Sequence, residues 1–164
     1  MKLQSGERVA MKIFISYGDA ADQVTALRLQ ALAAVNGLQV YVPPVHTRQT
    51  SAATLFPDSA QKLNESDMVL GVIGTTLSEA CRQELNTGLA LRRPTIVMVD
   101  PIVAPQLQPI FGANLVVVDP ARPDEAELGI VQHLKAIDVE QNTKKALLAL
   151  GTLALGLLIF APRN

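Results

Sequence analysis

The chain has 164 residues, enough for one domain and a short additional segment. Lys and Arg total 14 against 15 for Asp and Glu, which gives a net charge of −1. The chain therefore lacks the excess of basic residues that is typical of nucleic-acid-binding proteins. Hydrophobic residues make up 49% of the chain and charged residues 18%, which excludes intrinsic disorder. With one cysteine and two distant histidines, His46 and His133, we predict no metal site. A site made of carboxylates alone stays open, but the chain has no EF-hand spacing of aspartates.

The first third of the chain predicts two strands around one helix. Residues 1–10 form an N-terminal extension that lacks the apolar run of a signal peptide. The apolar run Lys12–Tyr17 predicts a strand, Asp19–Val35 a helix that ends at Asn36-Gly37, and Leu38–Val42 a second strand. The apolar stripe of this helix consists of Val24, Leu27, Leu29, Ala31, Leu32 and Val35.

The middle of the chain begins with a long polar segment. Pro43–Asp58 is predicted to be an irregular loop, of a length that is usually functional or mobile. A short helix over Ser59–Asn64, a buried strand over Met68–Gly74 and a helix over Ser78–Leu91 follow it.

The last part of the domain contains two more apolar strands, Thr95–Val99 and Leu115–Val118, and an amphipathic helix, Asp124–Ile137. Five strands that are apolar on both faces and alternate with helices predict a doubly wound parallel sheet in an α/β domain over residues 11–138. Ligands bind such sheets beyond the carboxyl ends of the strands. We therefore expect residues 17–19, the loop Pro43–Asp58, the turn Thr75–Ser78 and Asp100 to lie at the functional edge.

The C-terminal segment is apolar on all sides. Residues 139–145 form a polar linker, and residues 146–161 contain no charge and seven leucines, before a short tail at residues 162–164. A helix of this length spans about 24 Å, and flanking basic side chains can extend it toward the ~30 Å hydrocarbon core. We predict a single transmembrane helix with the globular domain on the cytoplasmic side, which the excess of lysines before the segment favours. A buried or oligomer-forming helix is the alternative.

The common nucleotide-binding and hydrolase motifs are absent: the chain has no G-x-G-x-x-G after a strand, no P-loop and no G-x-S-x-G. Ser78, Cys81 and Glu84 instead recur at helical spacing and share one side of the helix that follows the third predicted strand. Glu84 is expected to face partly into the crevice, where partial burial raises the pKa of a carboxyl group and suits it to catalysis. Alternatively, Glu84 is a solvated helix residue that pairs with Arg92 or Arg93.

The strand KIFISY with its acidic turn (Lys12–Asp19) and the pattern S-x-x-C-x-x-E resemble a Toll/interleukin-1 receptor (TIR) domain over roughly Met11–Asp138. The resemblance implies a flavodoxin-like fold with a variable BB loop after the second strand. Catalytic members of the family cleave NAD at the nicotinamide–ribose bond, and their catalytic glutamate matches Glu84. NAD is then the substrate, and no cofactor is implied.

The resemblance also implies a set of substrate-binding residues and a mode of activation. The substrate-binding residues are Tyr17, Gly18, Asp19, Pro44, Arg48, Ser78, Ala80 and Cys81. Activity in the family commonly requires assembly, so we expect a homo-oligomer that forms through TIR surfaces and is tethered to a membrane by the C-terminal helix. The sequence departs from the family where Ala80 replaces the motif's tryptophan and where the BB loop lacks the RD-x-x-PG pattern.

Two other functions stay open. The domain is also similar to TIR domains that act as non-catalytic interaction scaffolds. Nucleoside 2-deoxyribosyltransferases share the alternating architecture and a helical glutamate followed by a strand, as in Glu84 through Pro94 to Val99. Their D-x-G-T-x-x-E pattern is not matched at Ser78, Ala80 and Cys81. Both enzyme classes break an N-glycosidic bond with one glutamate.

Overall fold

A computed structural model describes residues 10–49 and 54–139, and it contains one parallel sheet. The strands are β1 (Lys12–Tyr17), β2 (Gln39–Tyr41), β3 (Met68–Ile73), β4 (Thr95–Val99) and β5 (Leu115–Val117). Their order is β2-β1-β3-β4-β5, and every neighbouring pair is parallel. This is the flavodoxin-like order, so the predicted doubly wound five-stranded sheet is confirmed.

Helices cover both faces of the sheet. They are α1 (Gln23–Val35), α2 (Pro57–Glu65), α3 (Glu79–Ala90), α4 (Ala104–Phe111) and α5 (Pro123–Val139). Short 3-10 helices lie at Ala20–Asp22, Val45–Arg48 and Gly112–Asn114. Apolar residues of α1 and α5 pack on one face of the sheet, and those of α2, α3 and α4 pack on the other.

The alternation of side chains along β1 decides which residues reach each face. Ile13, Ile15 and Tyr17 belong to the apolar core under α1 and α5. Phe14 belongs to the core under α2, α3 and α4, and Ser16 points to the same side. Ser16 is therefore a fully buried polar group on an inward face of the strand, where it requires a hydrogen-bonding partner.

The helices differ from the sequence pattern at several points. The pattern does not predict α4, because Pro105 and Pro109 interrupt it; the helix accommodates Pro105 in its first turn. The apolar stripe expected on α1 is correct only in part: Leu29 is buried and Leu32 packs against the core, whereas three other members, Val24, Leu27 and Val35, are exposed. The buried face of α1 consists of the smaller set Ala26, Leu29 and Ala33, which lets the helix lie close to the sheet. On α5, the spacing places Leu128, Val131, Leu134 and Ile137 on one side; the last three are buried, and Leu128 is exposed.

Within residues 10–49 and 54–139, no helix has the length and apolar character needed to cross a bilayer. The span predicted over residues 146–161 lies outside the described residues, as do residues 1–9 of the extension, residues 140–145 of the linker and the tail.

The loops after β1 and β3 are joined directly at the carboxyl edge of the sheet. The Gly18 N–H donates to the carbonyl of Val72 at 2.8 Å, and the Ser78 N–H donates to the carbonyl of Gly18 at 2.8 Å. Asp22 accepts a hydrogen bond from the Gly74 N–H at 3.1 Å. A Cβ atom at Gly18 would lie 2.2 Å from the main-chain oxygen of Thr76, so this position requires glycine.

We expect Gly18→Ala to lower the free energy of unfolding by about 1–3 kcal/mol, because the added methyl group must push two hydrogen-bonded loops apart. Urea denaturation measures the change. Thr76→Ala is the control, since it keeps the main-chain oxygen at an exposed position and should stay within about 0.5 kcal/mol of wild type. Equal stability of the two variants would contradict the close contact between Gly18 and the main chain of Thr76.

Candidate functional site

Glu84 lies on the second turn of α3, on the face that packs against the sheet. The helix starts at Ser78, whose hydroxyl caps it by accepting from the Cys81 N–H at 3.2 Å. The Glu84 side chain has no exposed surface. The expectation that it faces partly into an open crevice is therefore wrong, as is the alternative of a solvated residue paired with Arg92 or Arg93. The small residues Ala80 and Gly88, one turn away on either side, are buried, and a Cβ atom at Gly88 would lie 2.9 Å from the Val69 side chain, so they allow the helix to approach the sheet this closely.

The charge of Glu84 is balanced by Arg48, the last residue of the 3-10 helix Val45–Arg48. The guanidinium binds both carboxylate oxygens: Nη2 contacts Oε1, and Nη1 donates to Oε2 at 2.9 Å. The Arg48 side chain is also fully buried. Its Nε donates to the carbonyl of Tyr17 at 3.0 Å, and Nη1 also donates to the Thr47 hydroxyl at 2.9 Å. Such a bidentate pair is among the stronger polar contacts in proteins.

Tyr17 provides an aromatic face for the same guanidinium. The Cζ atom of Arg48 lies 4.1 Å from the centroid of the Tyr17 ring, which is within the range of a cation–π contact. The Tyr17 hydroxyl donates to the carbonyl of Pro43 at 2.7 Å and so fixes the ring. Burial raises the pKa of Tyr17, so the phenol stays protonated at neutral pH.

Ser16 is the fourth member of the buried cluster, and sequence reasoning missed it. Its hydroxyl donates to Glu84 Oε1 at 2.8 Å and lies 3.2 Å from Cys81 Sγ. Burial raises the pKa of Cys81 to about 12, so this thiol stays protonated at neutral pH. The polar residue on the inward face of β1 was the available signal for Ser16, because a buried hydroxyl requires a partner.

Opposing effects act on the pKa of Glu84. Removal from water is the largest and raises the pKa, whereas the hydrogen bonds and charge of Arg48 and the hydroxyl of Ser16 lower it. The net direction is upward from the ordinary value of 4.5. The site therefore holds a carboxyl group whose charge depends on its one cationic partner.

The structure brings four of the predicted site residues together and leaves the others apart. Tyr17, Arg48, Cys81 and Glu84 belong to the buried cluster, and Ala80 is buried beside it on α3. The remaining predicted residues make main-chain or capping contacts. Gly18 and Ser78 join the two loops, Asp19 caps the 3-10 helix Ala20–Asp22, and Pro44 accepts from Thr47.

A separate cavity of about 170 Å³ opens at the carboxyl ends of β3, β4 and β5, under α1 and α5. Val72, Met98 and Val118 line its apolar part, and Asp22 and Asp100 are among its polar groups. None of the predicted substrate-binding residues lines it.

Within the described part of the chain, no group of three or more His, Cys, Asp or Glu side chains is arranged to hold a metal ion.

No protein-family model matches the chain, and no curated protein matches its sequence. Among solved structures, the chain is similar to the TIR domains of the activated Roq1 resistosome that directly recognizes the pathogen effector XopQ. The identity is 15% and the TM-score 0.45, over 88% of this chain and 84% of that one. The fold of the present chain is defined by its own strand order and register.

Removal of either Arg48 or Glu84 from their buried ion pair should lower the stability of the fold. We expect Arg48→Met to lower the free energy of unfolding by about 3–5 kcal/mol, because it leaves an uncompensated carboxylate in the interior. The double variant Arg48→Met with Glu84→Leu should recover most of this loss. Chemical denaturation of the two single variants and the double variant measures the coupling. Strictly additive losses would contradict a direct interaction between the two side chains.

The raised pKa of Glu84 gives a pH dependence with a definite sign. A carboxyl group whose pKa is higher in the folded state stabilises the fold below its unfolded-state pKa, and this contribution is lost as the pH rises through the folded-state pKa. The stability of wild type minus that of Glu84→Gln should therefore decrease as the pH rises from about 4.5. Urea titrations at a series of pH values measure the difference, and an increase over this range would contradict the prediction.

Proposed function

We propose that the domain cleaves the N-glycosidic bond between nicotinamide and ribose in NAD, with Glu84 as the catalytic carboxylate. The observation that carries the proposal is the placement of Glu84: a carboxylate held out of water on a rigid helix, with a cation supplied by a connecting segment as its charge partner. Electrostatic stabilisation is strongest where water is excluded and the stabilising group is fixed in advance.

The chemistry requires one negative charge and no general acid. The pyridinium nitrogen takes the bonding electrons and leaves as neutral nicotinamide, while positive charge develops on the ribose. Glu84 stabilises this oxocarbenium-like centre, as carboxylates do in glycoside hydrolysis. Attack by water then gives ADP-ribose and releases a proton, and attack by the substrate's own adenine gives a cyclic form.

Substrate can reach Glu84 only after Arg48 has moved, because both side chains are fully buried. We propose that self-assembly through TIR surfaces supplies this change, and that the apolar segment at residues 146–161 raises the local concentration of the domain at a membrane, with the domain on the cytoplasmic side. Enclosure of the carboxylate before assembly keeps the isolated subunit inactive.

The same enclosure favours a second candidate, a non-catalytic TIR interaction module. In that case Glu84 serves only to fix the segment Val45–Arg48 to α3 and so to shape a surface for a second copy of the chain. Transfer of 2-deoxyribose between nucleobases is a third candidate, which uses the same carboxylate on a different N-glycosidic bond.

NAD consumption by the full chain, concentrated on liposomes, separates these functions. We expect wild type to release nicotinamide and Glu84→Gln to lose about 100- to 1000-fold in rate, because the amide keeps the shape of the side chain and removes its charge. Glu79→Gln is the matched control: it lies on the first turn of the same helix at an exposed position and should retain full activity.

Circular dichroism and light scattering must show that each variant folds and assembles. If folded, assembled wild type releases neither nicotinamide from NAD nor the base from a 2-deoxynucleoside, the protein is a scaffold. If it releases the base from a 2-deoxynucleoside but no nicotinamide from NAD, the protein is a transferase. If Glu84→Gln is as active as wild type, Glu84 is not the catalytic residue.

A further inference from the structure

The Arg48 guanidinium occupies a site of unusual composition, formed by an aromatic face and a buried carboxylate. The ring of Tyr17 lies against the guanidinium carbon at 4.1 Å, and both oxygens of Glu84 bind its nitrogens. These two groups provide a flat surface and a negative charge at its edge. Together they select a cation that is planar, delocalised and weakly hydrated.

Tyr17 and Glu84, which form this site, belong to a strand and a helix of the core, whereas Arg48, the cation, belongs to a connecting segment. Tyr17 is the last residue of β1 and Glu84 lies within α3, and both pack into the apolar core. Arg48 ends a 3-10 helix of four residues that lies between β2 and α2, outside the sheet. The cation is thus the component that can leave while the site keeps its shape.

We propose that Tyr17 and Glu84 form a binding site for a planar organic cation. Arg48 occupies this site as an internal competitor, and the pyridinium ring of NAD binds there when it displaces Arg48. Arg48 is then an occupant of the site rather than the substrate-binding residue expected from the sequence. The choice of NAD as ligand rests on the proposed function, whereas the cation site itself rests on the contacts of Tyr17 and Glu84.

Of the two oxidation states of the pyridine nucleotides, only the oxidised form, NAD, fits such a site. The ring of NAD is flat and carries a delocalised positive charge, as guanidinium does. The ring of NADH and free nicotinamide are neutral, so they lose the attraction to the Tyr17 face and to the Glu84 charge. Cleavage of NAD therefore turns a favoured ligand into a disfavoured product, after which Arg48 can return.

The test compares a cation with its neutral counterpart. The probes are 1-methylnicotinamide, a pyridinium cation, and nicotinamide, which differs by one methyl group and the charge. In the full chain with Arg48→Ala, calorimetric titration should show at least about tenfold tighter binding of the cation than of nicotinamide. Wild type should bind the cation at least about tenfold more weakly than Arg48→Ala, because a tethered competitor has a high effective concentration.

The variant Arg48→Ala with Glu84→Gln carries no unpaired charge and should fold while losing selective binding of the cation. Arg48→Gln keeps an amide donor for Glu84 and provides the same comparison if Arg48→Ala does not fold. Asp58→Asn, at an exposed position on the nearby α2, is the control for general charge effects and should leave binding unchanged. Equal affinity for both probes, or selective binding that survives Glu84→Gln, would overturn the proposal.

NAD cleavage by the same samples distinguishes this inference from the proposed function. Selective binding of the cation without NAD cleavage by assembled protein keeps the cation site and overturns the glycohydrolase. NAD cleavage that depends on Glu84, without selectivity between the probes, keeps the glycohydrolase and overturns the cation site. If the protein both binds the cation selectively and cleaves NAD, Arg48→Ala should lower the KM for NAD by at least about tenfold.

Discussion

The buried contact between Arg48 and Glu84 is the constraint on which the rest of this site depends. Neither side chain has exposed surface, so neither charge can be left without its partner. The contact fixes the segment after β2 to α3, and the same guanidinium fixes that segment to the end of β1 through Tyr17. Three separate parts of the chain thus meet at one cation. Any event that exposes Glu84 must protonate it, hydrate it or supply another positive charge.

The sheet could be predicted from the sequence because buried parallel strands are short, continuous apolar runs. Lys12–Tyr17 and Thr95–Val99 were predicted to the residue, and the other three strands to within one residue at either end. Helices were harder, because a helix can bury a narrow face. On α1, only Ala26, Leu29 and Ala33 provide that face, whereas apolar residues such as Val24 and Val35 are exposed. In α4, two prolines interrupt the sequence pattern, so this helix of eight residues could not be predicted.

The site was predictable only in part, because its residues are distant in sequence. The position of Glu84 on the inner side of α3 follows from helical spacing. Its depth and its partner do not, because Arg48 lies 36 positions earlier in a segment that carries no motif. An ion pair between separate segments is a product of tertiary packing. One local signal remained unused: Ser16 is a polar residue on the inward face of a buried strand, which indicates a polar partner there.

The cost of a buried ion pair bears on the choice between a structural and a chemical role for this cluster. Two charges removed from water recover their desolvation only with good geometry, and apolar pairs of similar volume are often equally stable or more so. A purely structural connection between α3 and the segment after β2 could therefore be made by two apolar side chains. This chain instead places an ionisable carboxyl group on the helix, a matching cation on the connecting segment and an aromatic ring beside that cation. Packing alone does not require these groups, whereas the proposed cation site uses each of them.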